Sequence, residues 1–461
     1  MIYLQGEVAY DAPAAARDGP RTEDTTMNGA EKEAAKSAAR WWRGNLHTHT
    51  FWSDGRAFPE ESISWYKARG YNFLGLSDHN VYQDDPDRWI AETGRERYFG
   101  EYLAAFPDAR TRTGAEGIRE ARLSTFAELA ARFDEPGRFA LVPAFEATRT
   151  VKYSDGRSHQ VHMNVVNVPK LLPSIASPDF VRTEDDVPLP RFVARHARET
   201  AAFAAARGER ALFMLNHPIW QWYDIAPEVL AETPEVRFFE VCNNGTEIAA
   251  AAELPQDGFD TDRFWDVANA FRARRGLPLL YGLGGDDTHV YRGEPHGGML
   301  MPFNAWTLVR SASLDGDSLV AAMERGDFVA CEGLEPEDVS FDRATRTLSV
   351  SVAAKPGAAR TVRFFVSKRD FSETPVRTIA IRPAAEPDSA VHERTVNVYD
   401  DRIGREVATF RGAPGEAVRA SYAMQPDDLY VRARVEEPGQ TLCTANLHPK
   451  GKLVAWTQPC A

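Results

Sequence analysis

A short segment near residue 50 carries three residues that could bind a metal ion. It reads GNLHTHTFWSDGR (44–56) and contains His47, His49 and Asp54. If the part before the Ser-Asp-Gly turn is a strand, His47 and His49 point to the same side, because side chains alternate faces along a strand. Asp54 could then return to them from the turn. Two imidazoles and a carboxylate in this arrangement are suited to metal binding.

Further metal-binding side chains follow other short apolar runs of the chain. They are His79 in SDHN, Glu146 in AFEATR, His162 in VHMN, His217 in NHP, and Asp287 and His289 in DDTH. Six of the eleven histidines therefore lie at the ends of predicted strands. Imidazole and carboxylate together favour zinc, iron or manganese over a magnesium ion held only by oxygen atoms.

The elements that must position these residues alternate between strands and helices. The predicted buried strands are YNFLGLSDHN, RFALVPAFEATR, HMNVVNVP, ALFMLNHP, RFFEVCNNG and LPLLYGLGGDDTH. The predicted helices are PEESISWYKARG, LSTFAELAARF, RFVARHARETAAFAAARG and TDRFWDVANAFRARRG. This alternation predicts an α/β fold with parallel strands, either as an open sheet or as a barrel. In both architectures the chemistry gathers at the carboxyl ends of the strands.

The sequence pattern changes after SLVAAMERGDFVACEG, and this change predicts two domains. Residues 43–334 form the predicted α/β domain. Residues 337–461 contain the alternating segments TLSVSVAA, TVRFFVSK, RTIAIRP and LYVRARVEE, which predict a smaller all-β, sandwich-like domain without metal ligands. Residues 1–42 are polar and rich in alanine, and they are predicted to be a flexible tail or a helix near residues 30–42.

The composition excludes some classes of protein. The net charge of -13 over 461 residues argues against a protein that grips nucleic acid, because such a protein needs a basic surface. No apolar run is long enough to span a membrane, and the start of the chain lacks the apolar core of a signal peptide. We expect a soluble protein, in the cytoplasm unless an export signal has been removed. Cys443 and Cys460 could pair in an oxidising compartment or remain free thiols.

The motifs, taken in order, resemble those of the PHP (polymerase and histidinol phosphatase) superfamily of metal-dependent phosphoesterases. The resemblance covers residues 43–332 and implies a distorted (β/α)7 barrel that holds two to three divalent ions of zinc, manganese or iron. It implies a first ligand group of His47, His49, Glu146 and Asp287, a second of Glu146, His162 and His217, and a third of Asp54, His79 and His289. The superfamily often has a histidine near the position of Asp54.

Two of these assignments have rivals nearby in the sequence. His159 lies three residues before His162, and we favour His162 because it leads directly into the predicted strand. In GGDDTH, Asp287 is preferred to Asp286 because the spacing in the superfamily is Asp-x-His.

The resemblance implies hydrolysis of a small phosphate monoester. Two close metal ions would lower the pKa of a bridging water, with Glu146 as the shared carboxylate. Asp54 or His79 would give a proton to the leaving group, or the third ion would stabilise it. The alternatives are a phosphodiesterase or exonuclease-like activity, a metal hydrolase of esters or amides, and a non-catalytic binding protein stabilised by metal.

Other residues near the predicted strand ends are candidates for contact with a substrate. Arg149 and Lys152 could bind a phosphate or lie on a solvated loop. Asn243, Asn244 and Glu247 are expected to line the pocket, with Glu240 close to a strand end. His296 could reach the substrate from a glycine-rich loop. Trp220, Trp222 and Tyr223 could stack on a substrate or pack under a loop. We interpret His196, His392 and His448 as structural or surface residues.

Overall fold

Helices and strands alternate along the computed structural model, which describes residues 39–172, 174–175, 187–219, 225–243, 261–291, 302–381, 394–439 and 452–461. Residues Arg40–Ala461 form one compact unit. The α-helices in these ranges are α1 (Pro59–Ala68), α2 (Glu96–Ala105), α3 (Phe126–Phe133), α4 (Leu189–Arg207), α5 (Pro227–Ala231), α6 (Thr261–Arg274) and α7 (Gly316–Glu324). The four helices predicted from the amphipathic stretches correspond to α1, α3, α4 and α6.

The strands fall into two groups along the chain. Those before residue 335 are β1 (Arg40–Asn45), β2 (Phe73–Leu76), β3 (Trp89–Ala91), β4 (Thr111–Thr113), β5 (Arg119–Arg122), β6 (Ala140–Lys152), β7 (Ser158–Val166), β8 (Leu212–Leu215), β9 (Phe238–Asn243), β10 (Tyr281–Gly285), β11 (Trp306–Ser311) and β12 (Phe328–Glu332). The later ones are β13 (Asp338–Asp342), β14 (Thr347–Val352), β15 (Thr361–Lys368), β16 (Arg377–Ile381), β17 (Arg394–Val398), β18 (Arg405–Arg411), β19 (Val418–Ala423), β20 (Asp428–Pro438) and β21 (Lys452–Thr457).

Local signals in the sequence explain where several helices begin and end. Pro59 occupies the first turn of α1, where its missing N–H would have no partner in any case. Thr125 caps α3 by accepting from the Glu128 backbone N–H, and the Glu128 carboxylate reaches back to the Thr125 N–H. Helix α4 ends at Gly208, whose φ of 70° is a left-handed conformation that glycine adopts without strain.

Thirteen strands form one mixed sheet in the order β10-β9-β8-β7-β6-β2-β1-β11-β12-β21-β20-β15-β18. Strands β1, β2 and β6 are parallel neighbours, as are β8, β9 and β10. Strand β7 runs antiparallel to both β6 and β8, so the prediction of parallel strands is wrong at this point. The cause is the short connection at residues 153–157, which makes a hairpin, whereas a parallel crossover needs a dozen or more residues.

Backbone hydrogen bonds connect the segments that follow β1 and β10. The edge strand β10 and strand β1 meet just beyond their ends, where the Asp287 N–H donates to the His47 carbonyl and the His49 N–H donates to the Thr288 carbonyl, both at 2.9 Å. A parallel bridge also joins Thr48 and Thr288. Within the described ranges no continuous ladder joins β10 to β1. The structure is therefore a mixed α/β sheet, and the closed (β/α)7 barrel stays a prediction.

The C-terminal strands are antiparallel, and several of them continue the main sheet. Strand β21 lies between β12 and β20, and β15 and β18 follow. A separate sheet, β13-β14-β19, contributes Leu348 and Val350 to the same apolar core as Val431 and Ala433 of β20. The two sheets thus bury apolar faces together, as in a sandwich. Strands from both sides of the predicted domain boundary are hydrogen-bonded in one sheet, while the boundary itself stays a prediction.

Two further features lie outside the sequence-based predictions. Strand β1 begins at Arg40, so the last residues of the predicted tail (1–42) are extended and not helical. Residues 89–122 contain α2 and the small sheet β3-β5-β4, which follow β2. Among the residues that the structure describes, no helix combines the length and apolar character needed to cross a membrane.

Candidate metal centre

The metal-capable residues converge just beyond the ends of the strands β1, β2, β8 and β10 and at the middle of β6 and β7. Beyond β2 and β6 the backbone pairing continues, since the Glu146 N–H donates to the Asp78 carbonyl and the Asn80 N–H donates to the Glu146 carbonyl. Strand β7, which runs antiparallel to β6, supplies His162 from its middle, opposite Thr148 of β6.

The first group contains His47, His49, Glu146 and Asp287, all of them buried. Asp287 Oδ1 lies 3.1 Å from His47 Nε2 and 3.0 Å from His49 Nε2. Glu146 Oε2 lies 3.4 Å and 3.3 Å from the same two nitrogen atoms. Two nitrogen and two oxygen donors thus face one point, which is the donor set that a tetrahedral zinc ion or a related ion takes.

A second group shares Glu146 and brings in His79 and His162. His79 Nδ1 is 2.9 Å from Glu146 Oε2, and His162 Nδ1 is 3.1 Å from Glu146 Oε1. His217, which the sequence assigns to this group, lies slightly further away. Its Nε2 is 3.9 Å from Glu146 Oε1 and 3.7 Å from Asp287 Oδ2, so it stands between the first and second groups.

The third group is formed by His49, Asp54, His79 and His289. Asp54 Oδ1 lies 3.4 Å from His289 Nε2 and 3.7 Å from His79 Nε2. The imidazole of His49 stacks against both other rings, with centroids 4.1 Å from that of His289 and 4.3 Å from that of His79. The side chain of Asp54 is 50% exposed, so this group forms the outer side of the site.

Unsatisfied polar atoms show that the first two groups fit a cation. Glu146 Oε2 is buried without a hydrogen-bond partner, although imidazole nitrogens of His47, His49 and His79 lie within 3.4 Å of it. His49 Nδ1 is likewise buried and has no hydrogen-bond partner. Buried polar groups are normally paired. A metal ion among these atoms would supply the partner that Glu146 Oε2 does not have.

The electrostatics of the centre favour ionised carboxylates. Burial acts to raise the pKa of Glu146, but the adjacent His79 and His47 lower it well below its ordinary value. Burial also opposes ionisation of Asp287, and His47 again holds its pKa well below the usual range. Both carboxylates therefore keep the negative charge that a divalent ion requires.

The imidazoles of the centre differ in the direction in which their pKa values are shifted. Burial and the neighbouring His289 lower the pKa of His49 to about 3, and burial and His162 lower the pKa of His217 to about 3. For His289, burial lowers the pKa but the hydrogen bond with Asp54 raises it to about 9. Six imidazoles so close together cannot all be protonated, and neutral imidazole is the form that binds metal.

Two of the ligand candidates have strained backbone conformations. His217 has a φ of 21° and Asp287 has a φ of 54°, values that residues other than glycine rarely adopt. Each such conformation costs on the order of 1–3 kcal/mol and persists only where the surrounding structure enforces it. Strain at two ligand candidates indicates that their positions serve the site more than they serve local stability.

A second layer of polar residues holds these side chains in place. Glu240 Oε1 lies 2.7 Å from His47 Nδ1, and Asn216 Nδ2 donates to Glu146 Oε1 at 2.8 Å. Asp78 accepts from the backbone N–H and the hydroxyl of Thr50, which fixes the segment that carries His49. Sequence reasoning assigned no role of this kind to Asn216 or Asp78. The sequence signal that could have identified them is their position, since each directly precedes a ligand candidate in NHP or SDHN.

The structure separates the two rival pairs of the sequence analysis. His159 and His162 are three residues apart on one strand, so they point to opposite faces, and it is His162 that faces Glu146. Asp287 lies among the histidines. Asp286 instead accepts from the Tyr66 hydroxyl, the Asn45 amide and the backbone N–H groups of residues 303–305, and burial raises its pKa to about 6.

The predicted substrate contacts are placed differently. Arg149 is three residues from Glu146 on β6, so it faces the opposite side of the strand; it is buried and donates to the Ile175 carbonyl. Its predicted contact with a substrate stays a prediction. Lys152 is exposed at the end of β6. Asn243 is buried and donates to Glu240, so it supports the site from behind.

Several predictions fall on residues outside the described ranges. These are Asn244, Glu247, His296, His392, His448, Trp220, Trp222, Tyr223 and Cys443. His196 is buried in α4 with Nδ1 2.7 Å from the Phe192 carbonyl, in keeping with its structural interpretation.

Comparisons with known proteins give distant likenesses. No family model matches the chain, and no curated protein matches it. One similar solved structure is a two-domain protein from Bacteroides vulgatus that contains a predicted PHP-like metal-dependent phosphoesterase. The two sequences are 12% identical and the TM-score is 0.36. The match covers 89% of this chain and 94% of that one.

Two shorter structures are also similar. An amidohydrolase from Chromobacterium violaceum with bound sulfate and no metal has 15% identity and a TM-score of 0.27, and the match covers 54% of this chain and 87% of that one. A protein from Bifidobacterium adolescentis that is only assigned as a metal-dependent phosphoesterase has 14% identity and a TM-score of 0.25, and the match covers 55% of this chain and 90% of that one. All three TM-scores are below 0.5, so these likenesses establish neither the family nor the activity of this chain.

Proposed function

We propose that the protein is a metal-dependent phosphoesterase of the PHP type that hydrolyses a small phosphate monoester. The observation that carries this proposal is the position of Glu146. One of its carboxylate oxygens faces His47, His49 and His79, and the other faces His162 and His217. A carboxylate that presents each oxygen to a different set of imidazoles is placed to bridge two cations.

The donor groups suit a substrate with high negative charge. When bound, two divalent ions would lower the pKa of a water between them and neutralise charge on the phosphoryl oxygens. The carboxylates of Glu146, Asp287 and Asp54 would repel a phosphate in the absence of such ions. Three overlapping donor groups match a phosphate monoester, whose transition state spreads charge over three oxygens.

The chain's own residues divide the remaining tasks. The buried histidines His47, His49 and His162 orient the donor atoms and keep water out of the inner part of the site. Asp54 and His289 lie on the exposed side, hydrogen-bonded to each other, and His79 stands between the inner and outer groups. These outer residues are the ones that could hold a leaving oxygen or transfer a proton to it.

Metal removal and reloading test this proposal. The purified protein is stripped with a chelator, reloaded with Zn²⁺, Mn²⁺ or Fe²⁺, and assayed on phosphate monoesters, with phosphodiesters and carboxylic esters as comparison substrates. We expect two to three ions per chain by elemental analysis, and monoester hydrolysis that disappears on stripping and returns on reloading. A fully loaded protein that hydrolysed only carboxylic esters, or no ester, would refute it.

A further inference from the structure

We propose that Glu240 is a positioning residue that fixes the imidazole of His47 and the backbone of His217 together, so that one side chain aligns two separate ligands of the metal centre. The inference rests on the proposed metal-dependent function and deepens it. Glu240 lies on β9, and it belongs to none of the three donor groups.

The first contact sets which nitrogen of His47 faces the centre. Glu240 Oε1 is 2.7 Å from His47 Nδ1, and both side chains are 0% exposed. On the other side of the ring, His47 Nε2 lies 3.1 Å from Asp287 Oδ1 and 3.4 Å from Glu146 Oε2. The other oxygen of Glu240 already accepts two N–H groups, so this carboxylate is placed as the acceptor of a proton on His47 Nδ1, which leaves the Nε2 lone pair available to a metal ion.

The second contact fixes the loop that carries His217. Glu240 Oε2 accepts the His217 backbone N–H at 3.0 Å and the Asn243 side-chain amide at 2.8 Å. This hydrogen bond falls on the residue whose φ of 21° is strained, so the carboxylate helps to maintain that conformation. With three N–H donors directed at its two oxygens, Glu240 is held as an acceptor on both sides.

A glycine on the neighbouring strand leaves the space for this arrangement. A Cβ at Gly285 of β10 would lie 2.4 Å from Glu240 Oε1 and 3.1 Å from the Cβ of His47. Any side chain at this position would therefore push Glu240 and His47 apart. The close approach of β10 to the Glu240–His47 pair is a second observation, independent of the hydrogen bonds, that the pair is built into the fold.

Nuclear magnetic resonance of the zinc-loaded wild-type protein tests the first contact without any substitution. With ¹⁵N-labelled histidine, we expect His47 to bind Zn²⁺ through Nε2 and to retain a slowly exchanging proton on Nδ1. Coordination through Nδ1 at full zinc occupancy would overturn the proposal, although it would leave the metal-dependent function intact. A wild-type protein that bound no zinc would overturn both.

The variant Glu240→Gln tests the contacts by zinc affinity. An amide offers one acceptor and one donor, so it cannot accept all three N–H groups. We expect the affinity for the Zn²⁺ ion whose binding is weakened most to fall by about 10- to 100-fold. This is the typical loss when a hydrogen-bond partner of a metal-bound histidine is replaced. Glu60→Gln is the matched control, because Glu60 is also buried and its partner, Ser124, lies outside the donor groups. Equal zinc affinity in Glu240→Gln and wild type would refute the proposal.

The variant Gly285→Ala reaches the same pair without changing any polar group. We expect it to lower zinc affinity by at least about tenfold and to perturb the Nδ1 proton of His47. Gly100→Ala is its control, since a Cβ at Gly100 in α2 meets no atom within 4 Å. The pattern expected is loss of affinity in Gly285→Ala with wild-type affinity in Gly100→Ala. Wild-type affinity in both variants would contradict the proposal.

Discussion

Two clusters of buried charge in this protein differ in how their charges are balanced. Between α6 and β20, Arg432 donates through Nε and Nη2 to Asp266 at 2.8 Å and 2.5 Å, and its Nη1 lies 2.7 Å from Asp262. Tyr430 also donates to Asp266 at 2.8 Å. Each carboxylate of this network faces a permanent cation, which is what buried ion pairs need in order to persist.

Among the described residues, the carboxylates of the metal centre form ion pairs with histidines and with no Lys or Arg. These carboxylates face imidazoles, whose charge depends on pH and on their surroundings, and Glu146 Oε2 has no hydrogen-bond partner. The comparison teaches that buried charge alone does not identify a functional site. What distinguishes the centre is buried negative charge whose natural partner is a cation from solution.

The largest effect is expected in the ion-pair network. Asp266→Ala removes the bidentate partner of Arg432 and leaves a buried guanidinium without compensation, which typically costs about 3–5 kcal/mol of the free energy of unfolding. Urea denaturation measures this loss, and elemental analysis of the folded fraction should show an unchanged metal content. If the variant lost metal while keeping its stability, the network would belong to the functional site and the distinction would fail.

The next effect concerns turnover. Glu146→Gln keeps the size of the side chain but removes the charge that would be shared by two cations, so we expect turnover to fall by at least about 10²-fold in a protein that circular dichroism shows to be folded. The control is Glu332→Gln, because Glu332 is equally buried and burial raises its pKa to about 7, so an amide changes little there. Turnover within a few-fold of wild type at full metal content would rule out a bridging role for Glu146.

The third prediction concerns the stability of the metal-free protein at acidic pH. The pKa values of His49 and His217 are lowered to about 3 in the metal-free folded protein. Below about pH 6.5 these two imidazoles therefore become protonated in the unfolded chain and stay neutral in the folded one. Each histidine then lowers the free energy of unfolding by up to about 1.4 kcal/mol per pH unit. Asp262, whose pKa is lowered to about 2, continues to stabilise the folded state until the pH falls below about 4.

Urea denaturation of the stripped protein between pH 6.5 and pH 5 measures this effect, and the zinc-loaded protein is the comparison. Asp286 and Glu332, whose pKa values are raised to about 6 and about 7, stabilise the folded state in the same range and oppose this loss. We therefore expect the stripped wild type to lose stability toward pH 5 relative to a stripped His217→Asn variant. A stability difference between the two proteins that did not change with pH would show that the His217 imidazole is not buried in the neutral form.

The smallest effect is expected at the tip of the β6–β7 hairpin. Lys152 points to the same side of β6 as Glu146, but six residues of strand place it about 20 Å further along. We therefore expect Lys152→Ala to change kcat/KM for a small phosphate ester by less than about twofold, in the range of an exposed surface substitution. A tenfold loss in steady-state kinetics would mean that the hairpin folds over the substrate.

The metal-ligand candidates were accessible from the sequence because their positions follow local periodicity. His47 and His49 face one point because strand side chains alternate, and the end of each buried run supplied another donor. The direction of β7 could not be predicted in the same way. The expected alternation of strands and helices implied a parallel crossover, whereas residues 153–157 form a five-residue hairpin loop. The spacing of three residues places Arg149 on the other face of β6 from Glu146, just as it separates His159 from His162 on β7.

Glu240 shows a second limit of sequence reasoning. A lone acid in an apolar run has no motif, and its role depends on the register between β9 and β10 and on the space beside Gly285. Such long-range pairing is set by tertiary packing, which local pattern does not encode. Residues that bind through periodic motifs are therefore predicted more readily than the residues that hold them.

The position of β21 has a consequence for how the protein folds during synthesis. Strand β12 pairs with β21, which lies far along the chain, so the ribosome releases β12 with one edge unpaired until residues 452–457 have been made. Non-local pairing of this kind slows folding, and an exposed strand edge is a site of aggregation. We therefore expect nascent chains stalled before β21 to depend on chaperones, even though every ligand of the metal centre has already been synthesised.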